Sequence, residues 1–184
     1  RINYFNQPLD FQIVRCADCG LVFTNPRIND HNAAYYQPNI DAHHVEAHAH
    51  AKAPVFQNAL NQIQKQLSAS ASSSQLKLLD IGAGSGHFLN AARQRRFNVT
   101  GIEPTPAYAD YARKQFNLAI IEDSFERVCL QPDTFDVITA WDVIEHVPDP
   151  KLFLHQCQQW LKPNGILGLR FPAAPWQKIK DCND

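Results

Sequence analysis

The sequence predicts an α/β protein with a Rossmann-like, doubly wound parallel sheet. From residue 77 to residue 171, apolar segments of strand length alternate with segments of helical periodicity, which is typical of parallel strands joined by right-handed crossovers. The first strand runs directly into a glycine-rich turn, and the two together span residues 78–88 (LLDIGAGSGHF). Because glycine tolerates positive φ values and close contact with a ligand, this turn predicts a nucleotide-cofactor loop.

The remaining elements follow from the same alternation. Strands are predicted at residues 77–81, 98–102, 118–121, 135–139 and 166–171, and helices at residues 86–95, 106–116 and 150–161. Upstream, apolar residues recur at helical spacing between Val55 and Leu67, so Pro54 is predicted to begin an amphipathic helix. The chain is therefore divided into residues 1–30, a helical cap segment at 31–67, a Ser/Ala-rich linker at 68–75 and a cofactor-binding domain at 76–184.

The spacing of the glycines narrows the choice of cofactor. Gly82, Gly84 and Gly86 alternate, whereas the dinucleotide fingerprint G-x-G-x-x-G would place glycine where the chain has His87. The turn also lacks the Lys-Ser/Thr pair of a phosphate-binding P-loop. Glu103 ends the second strand, where a carboxylate can accept hydrogen bonds from both hydroxyls of a ribose and would repel a 2′-phosphate. NAD would satisfy Glu103 equally well, and a solvated strand-end acid is the structural alternative.

Four motifs occur in order along this part of the chain: D-x-G-x-G-x-G at residues 80–86, GIEP at 101–104, EHVPDP at 145–150 and LKPNG at 161–165. Together they resemble the successive motifs of class I S-adenosylmethionine-dependent methyltransferases over residues 76–175. The resemblance implies the strand order 3-2-1-4-5, S-adenosylmethionine as cofactor, and a small-molecule acceptor methylated on oxygen, carbon or nitrogen. The strands that usually follow the fifth one in this family are expected to be missing from the chain. A methyltransferase-like module that binds without catalysis is the alternative.

The same resemblance implies which residues bind the cofactor. They come from the glycine turn and from the ends of the strands: Asp80, Gly82, Ala83, Gly84, Gly86, Phe88, Glu103, Pro104, Asp123, Ser124 and Trp141. Asp80 is expected either to reach the amino group of the cofactor or to order the glycine turn. Asp123 is preferred over Ser124 as the acceptor for the adenine amino group, and a helix N-cap is its structural alternative.

The loop after the fourth strand carries the candidate catalytic residues, His146 and the adjacent Glu145. Histidine ordinarily titrates near neutral pH, so it can remove a proton from a methyl acceptor. Asp142 is expected on the substrate side. Residues 142–146 also resemble the E-x-x-E-H metal-binding stretch of ubiquinone-pathway O-methyltransferases, with Asp142 replacing the first Glu. The structural alternative is that His146 caps or packs against the following helix.

Two features precede the cofactor domain. Residues 13–27 contain Cys16 and Cys19 and resemble the second half of the zinc ribbon that precedes some methyltransferase domains. Structural zinc needs four ligands, so zinc would need further ligands from a longer native chain, and two free thiols in a turn are the alternative. Tyr35 and Tyr36 are expected on the substrate side, because aromatic faces favour a sulfonium cation and exclude water.

Composition and charge argue against several other classes of protein. The formal net charge is −1 and the isoelectric point is about 6.8, so no basic field attracts nucleic acid or anionic lipid. No apolar run approaches the roughly 20 residues of a membrane span. The 5 cysteines are an odd number scattered along the chain, which favours reduced thiols and a cytoplasmic location. We therefore expect a cytoplasmic enzyme with a small-molecule substrate and neither a nucleic-acid nor a membrane partner.

Overall fold

The chain divides into two compact units, Arg1–Asn32 and Ala33–Asp184. A computed structural model describes the following residues: 2–4, 7–9, 12–15, 17, 22–25, 41–67 and 75–171. None of the helices within these ranges is long and apolar enough to cross a membrane.

The described strands of the first unit form two antiparallel pairs, β1 (Ile2–Tyr4) with β2 (Gln7–Leu9) and β3 (Gln12–Arg15) with β4 (Val22–Asn25). Cys16 and Cys19 fall between β3 and β4 in the sequence, and both lie outside the described residues. Their assignment as zinc ligands therefore stays a prediction.

The second unit contains a parallel sheet of five strands: β5 (Lys77–Ile81), β6 (Asn98–Ile102), β7 (Ile120–Ile121), β8 (Phe135–Trp141) and β9 (Leu161–Arg170). Their order across the sheet is β7-β6-β5-β8-β9, which confirms the predicted order 3-2-1-4-5. β9 begins at Leu161 and not at the predicted Ile166. Leu161 pairs with Phe135 ahead of an irregularity in the ladder, and regular pairing resumes where Ile166 meets Val137.

Four helices are described in the same unit: α1 (Ala42–Leu67), α2 (His87–Gln94), α3 (Pro106–Phe116) and α4 (Pro150–Trp160). The prediction that Pro54 begins the first helix is wrong, because Pro54 lies inside α1. The Asp41 carboxylate accepts a hydrogen bond of 2.9 Å from the His43 N–H, which satisfies one of the free donors at the true helix start. Upstream of Pro54, α1 buries Val45 and Ala49, and this packing offsets the cost of an internal proline.

The core lies on both faces of the sheet. Neighbouring residues of a strand point to opposite faces, and Leu78 and Leu79 accordingly belong to two different buried clusters. The first cluster contains apolar side chains of α1, α2 and α3, including Leu60 and Phe88. The second contains the buried face of α4, including Phe153. With both faces covered, the strand ends and the loops after them are the part of the sheet left to build a site.

Candidate functional site

The turn between β5 and α2 is held against the end of β6. The N–H groups of Gly82 and Ala83 both donate to the Ile102 carbonyl, at 2.8 and 3.0 Å. Gly82, Gly84 and Gly86 have φ values of 71°, 51° and 80°, which lie in the left-handed region. The turn therefore has the backbone path that glycine makes accessible, as the sequence predicted.

Two of the glycines are required for different reasons. A Cβ atom at Gly86 would lie 2.7 Å from Leu118 Cδ1 and 2.8 Å from Ala112 Cβ, so packing within the domain excludes a side chain there. A Cβ atom at Gly84 would meet no atom of the described residues within 4 Å. Gly84 therefore borders open space at the tip of the turn, which is where a ligand could approach the backbone.

Glu103 is buried at the end of β6, with 5% of its surface exposed. Its Oε2 accepts a hydrogen bond of 2.7 Å from the Gly84 N–H, and its Oε1 accepts one of 2.8 Å from the Thr105 N–H. Burial raises the pKa of the Glu103 carboxyl, and these two hydrogen bonds oppose that shift. The alternative that Glu103 is a solvated acid is therefore wrong. Its carboxylate joins the glycine turn to the start of α3.

Asp80 is also buried, at 1% exposure, and the Thr139 hydroxyl donates to its Oδ1 at 2.7 Å. Burial raises the pKa of Asp80 to about 8; the Thr139 hydrogen bond opposes this shift, and the nearby charge of Glu103 adds to it. The raised pKa favours the protonated form of the Asp80 carboxyl. The hydrogen bond links the end of β5 to β8, so Asp80 orders the strand ends beneath the glycine turn, and its contact with the cofactor amino group stays a prediction.

Asp123 and Ser124 follow β7, at the same end of the parallel strands as Asp80 and Glu103. Asp123 Oδ1 accepts hydrogen bonds from the Ser124 N–H at 2.7 Å and from Arg127 Nε at 2.6 Å. The hydrogen bonds from Arg127 and from the Ser124 N–H hold the pKa of Asp123 below its ordinary value, and the charge of Arg127 adds to this shift. No helix begins at Asp123, so its helix N-cap alternative is wrong; Asp123 instead holds the turn that follows it, and its contact with adenine stays a prediction. Pro104 is half-buried next to Glu103.

An aromatic cluster closes the site on the side of α1. Trp141, the last residue of β8, contacts Phe88 and Phe56 with ring centroids 4.8 and 5.7 Å apart, and Phe56 lies 5.4 Å from Phe88. The indole N–H of Trp141 is buried and has no hydrogen-bond partner in the part of the chain that the structure describes. Phe56 was missed as a site residue because its spacing in the sequence is that of any core residue of an amphipathic helix.

A second contact of α1 reaches the glycine turn itself. The His87 ring lies 2.9 Å from Ser85 Oγ through Nδ1 and 3.4 Å from Glu46 Oε2 through Nε2. The Tyr111 hydroxyl of α3 donates to the other oxygen of Glu46. His87 thus joins the turn to α1 at the position where a dinucleotide fingerprint would require glycine.

Asp142 follows Trp141 and binds two cations. Its Oδ2 accepts hydrogen bonds from Lys52 Nζ at 2.8 Å and from Arg170 Nη1 at 2.9 Å. Its backbone has a φ of 57°, and its N–H donates to the Arg170 carbonyl at 2.8 Å. Sequence analysis missed Lys52 and Arg170, because each lies far along the chain from Asp142.

This arrangement does not fit the metal site that the resemblance of residues 142–146 implies. Lys52 and Arg170 already neutralise the carboxylate of Asp142, and their charges would repel a divalent cation there. Within the described ranges, no group of three or more His, Cys, Asp or Glu side chains is placed to hold a metal ion.

Glu145 and His146 lie in the turn that follows, which touches the glycine turn. A Cβ atom at Gly82 would lie 2.5 Å from Val143 Cγ2, and the His146 N–H donates to the Val143 carbonyl at 2.8 Å. His146 is exposed and Glu145 is half-buried. The N-cap of α4 is Asp149, whose Oδ1 accepts from the N–H groups of residues 151 and 152 at 2.9 and 3.0 Å, so the capping alternative proposed for His146 is wrong.

The substrate-side candidates Tyr35 and Tyr36 lie outside the described residues.

A sheet of this strand order, with a glycine turn after its first strand and a buried acid after its second, is a Rossmann-like nucleotide-cofactor fold, the class to which S-adenosylmethionine-dependent methyltransferases and dinucleotide-binding domains both belong. Residues 43–184 match the family described as a methyltransferase domain. That match covers most of the chain, so the chain belongs to this family.

Curated relatives agree with the assignment. The chain is 37% identical over 101 residues to the ubiquinone biosynthesis O-methyltransferase of Actinobacillus pleuropneumoniae, a match to 50% of the chain and 43% of that protein. It is 38% identical over 95 residues to the enzyme of the same name from Pseudomonas aeruginosa, covering 48% of the chain and 41% of that protein. The matches thus span less than half the length of these relatives.

The structure of an S-adenosylmethionine-bound amino pentose methyltransferase from Micromonospora echinaspora superposes with a TM-score of 0.60 at 21% identity, covering 75% of this chain and 59% of that one. At 21% identity, this comparison shows that the two proteins share a fold.

The two glycines provide a matched pair of variants. Gly84→Ala should lower the free energy of unfolding by only about 1–2 kcal/mol, the cost of a left-handed backbone, because its Cβ meets open space. It should nevertheless weaken S-adenosylhomocysteine binding at least tenfold, because the new methyl group enters the ligand's space. Gly86→Ala should destabilise the fold more strongly, because its Cβ also clashes with Leu118 and Ala112. Calorimetry and urea denaturation of both variants measure the two effects. Unchanged affinity in Gly84→Ala would contradict the assignment of this space to the ligand.

The raised pKa of Asp80 predicts a pH-dependent stability. The unfolded chain releases this proton near the ordinary value of 3.8, whereas the folded chain holds it up to about pH 8. Stability from this group is therefore fully present below pH 3.8 and is lost as the pH rises through about 8. Asp80→Asn should remove this part of the decline when urea denaturation is compared at pH 5 and pH 8. The surface variant Asp110→Asn controls for the loss of one carboxylate. An identical decline in wild type and Asp80→Asn would refute the assignment.

Proposed function

We propose that the chain forms the S-adenosylmethionine-binding core of an enzyme that transfers a methyl group to an oxygen atom of a small-molecule acceptor. The observation that carries the proposal is Glu103, a buried carboxylate that is tied to the tip of the glycine turn. Membership of the methyltransferase domain family supports the reaction type. The names of the curated relatives favour oxygen over carbon and nitrogen as the acceptor atom.

Glu103 has the geometry to hold a ribose without releasing the turn. Each of its oxygens accepts one backbone N–H, from Gly84 or from Thr105. A carboxylate oxygen has two lone-pair sites, so each can accept a ribose hydroxyl in addition. The diol of a ribose would then bind on a carboxylate that is already oriented, and little ordering would remain to be done on binding.

The remaining cofactor contacts are assigned by position. Residues 82–86 border the open space at Gly84, where the amino acid part of the cofactor would lie. Asp80 lies beneath this turn and would reach the amino group of the cofactor. Asp123 and Ser124 follow β7, where they would contact the adenine ring. Phe88 and Trp141 supply an apolar wall that would exclude water from the sulfonium.

Bound S-adenosylmethionine supplies an electrophilic methyl group on a positively charged sulfur. The chain would align the acceptor with that group, and alignment alone can contribute several kcal/mol to the rate. His146 is exposed in the turn after β8, next to residues that touch the glycine turn, and it would take the proton that the acceptor oxygen loses. Glu145 would orient the histidine ring. No step is assigned to a metal ion, because Asp142 is engaged by Lys52 and Arg170.

The ligand assignment is tested by titrating the protein with S-adenosylhomocysteine and, separately, with NAD. We expect one site for S-adenosylhomocysteine and much weaker binding of NAD. Glu103→Gln should weaken the first ligand about 10- to 100-fold, because a hydrogen bond to a charged group contributes ~1.5–3 kcal/mol. Equal affinity for NAD would contradict the proposal. Binding of neither ligand would favour the non-catalytic module.

The role of His146 is tested by substitution. His146→Gln should slow methyl transfer by roughly 10²- to 10⁴-fold, because it removes the base, and should leave S-adenosylhomocysteine affinity unchanged. The loss should shrink at high pH, where the acceptor ionises unaided. His155→Gln, at an exposed position of α4, is the matched control and should keep full turnover. Full turnover in His146→Gln would rule out the proposed role.

A further inference from the structure

Lys52, Asp142 and Arg170 form a charge cluster at the carboxyl end of β8. Both cations bind one oxygen of Asp142, at 2.8 and 2.9 Å, so a single small anion could contact both. Their side chains are 25% exposed for Lys52, 26% for Asp142 and 39% for Arg170. The cluster is therefore partly shielded from water, and its charges act more strongly than those of a fully solvated ion pair.

The cluster has an excess of positive charge and of hydrogen-bond donors. Two cations face one carboxylate, which leaves one positive charge without a counter-charge in the cluster. The ammonium and guanidinium groups only donate hydrogen bonds. The adjacent Trp141 adds a buried indole N–H that has no partner in the part of the chain described here. A group that accepts hydrogen bonds and carries negative charge would complement all three donors.

A second ion pair, on the same strand, holds an aspartate with a single cation. Near the amino end of β8, Asp136 binds one cation, Lys162, whose Nζ donates to its two oxygens at 2.8 and 2.9 Å. The backbone N–H of Lys77 also donates to Asp136, at 2.8 Å, so this aspartate is satisfied with one cation. The second cation at Asp142 calls for a different explanation.

The location of the cluster places it beside the proposed site of methyl transfer. Lys52 and Phe56 are four residues apart on one face of α1, and they contact Asp142 and Trp141 respectively. Val143, the residue after Asp142, touches the glycine turn at Gly82. The contacts between α1 and the end of β8 therefore lie within two residues of Val143, which touches the glycine turn.

The backbone at Asp142 is also strained. Its φ of 57° lies in the left-handed region, which is uncommon for a residue with a side chain. The strain turns the residue after β8 so that its carboxylate meets Lys52 and Arg170. Residues held in this way are concentrated at ligand sites, where orientation matters more than stability.

We propose that the methyl acceptor carries an anionic group, a carboxylate or a phosphate, and that Lys52 and Arg170 bind it between α1 and the end of β8. This inference rests on the proposed function, because it names the class of acceptor for the same site. Asp142 holds the two cations in place in the free protein and shares them with the anion in the complex. Trp141 donates its indole N–H to the same group.

Three probes on the protein saturated with S-adenosylhomocysteine test the proposal: benzoate, its neutral counterpart benzamide, and phenyl phosphate. Titrations followed by calorimetry and by the indole N–H signal of Trp141, assigned with Trp141→Phe, should show benzoate or phenyl phosphate binding roughly tenfold or more tightly than benzamide. The preferred anion identifies the head group. Equal binding of all three probes would overturn the proposal.

Variants of the cations and of the aspartate are expected to change anion affinity in opposite directions. Lys52→Gln and Arg170→Gln should each weaken anion binding roughly tenfold, because each removes a charge from the site. Asp142→Asn should tighten it, because it removes a competing anion and keeps the side-chain shape. Lys162→Gln removes a lysine–aspartate pair from the opposite end of β8 and should leave anion binding unchanged. A purely structural cluster predicts instead that all three cluster variants lower stability and that none changes the ratio of benzoate to benzamide affinity.

The two proposals fail in different ways. If S-adenosylhomocysteine does not bind, the proposed function fails and the acceptor class fails with it. If S-adenosylhomocysteine binds and the charge variants leave anion affinity unchanged, the proposed function stands and the anionic acceptor is overturned. Should Lys52→Gln unfold the protein, the opposite shifts of Arg170→Gln and Asp142→Asn still decide the question.

Discussion

The hydrogen bonds of the Glu103 carboxylate are the interaction on which the rest of the site depends. They join the end of β6 to the tip of the glycine turn and to the start of α3, at 2.7 and 2.8 Å. The Ile102 carbonyl holds the base of the same turn. With the turn fixed, α2 begins at a set position, and its residues His87 and Phe88 meet α1. A buried carboxylate destabilises the fold unless it is well hydrogen-bonded. In this site the hydrogen bonds of Glu103 offset that cost and hold the glycine turn in the conformation that a ligand would need.

The two ends of β8 carry different electrostatic arrangements on one strand. At the amino end Asp136 has one cationic partner, whereas at the carboxyl end Asp142 has two. Ligands of open α/β sheets bind at the carboxyl ends of the strands, so the end with surplus charge is the one where an acceptor is expected. Electrostatics and topology thus favour the same end of β8 for the proposed acceptor, and the left-handed backbone at Asp142 directs its carboxylate toward the two cations there.

Much of the fold could be predicted from the sequence, because its signals are local. The apolar runs of β5 and β6 and the Pro at the start of α3 gave the bounds that the structure has. The start of α1 was missed because a proline usually begins or breaks a helix, and burial of apolar residues upstream of Pro54 outweighed that preference. Glu103 was predicted from its place at a strand end. Lys52 and Arg170 could not be, because only the folded chain brings residues from α1 and β9 to Asp142.

A crystal structure of the protein with S-adenosylhomocysteine tests the central claim most directly. The account predicts that both ribose hydroxyls lie within hydrogen-bond distance of Glu103, one on each carboxylate oxygen, while the N–H groups of Gly84 and Thr105 still donate to the same two oxygens. A complex in which the ribose binds elsewhere, or in which Glu103 must release the glycine turn to admit it, would contradict the account.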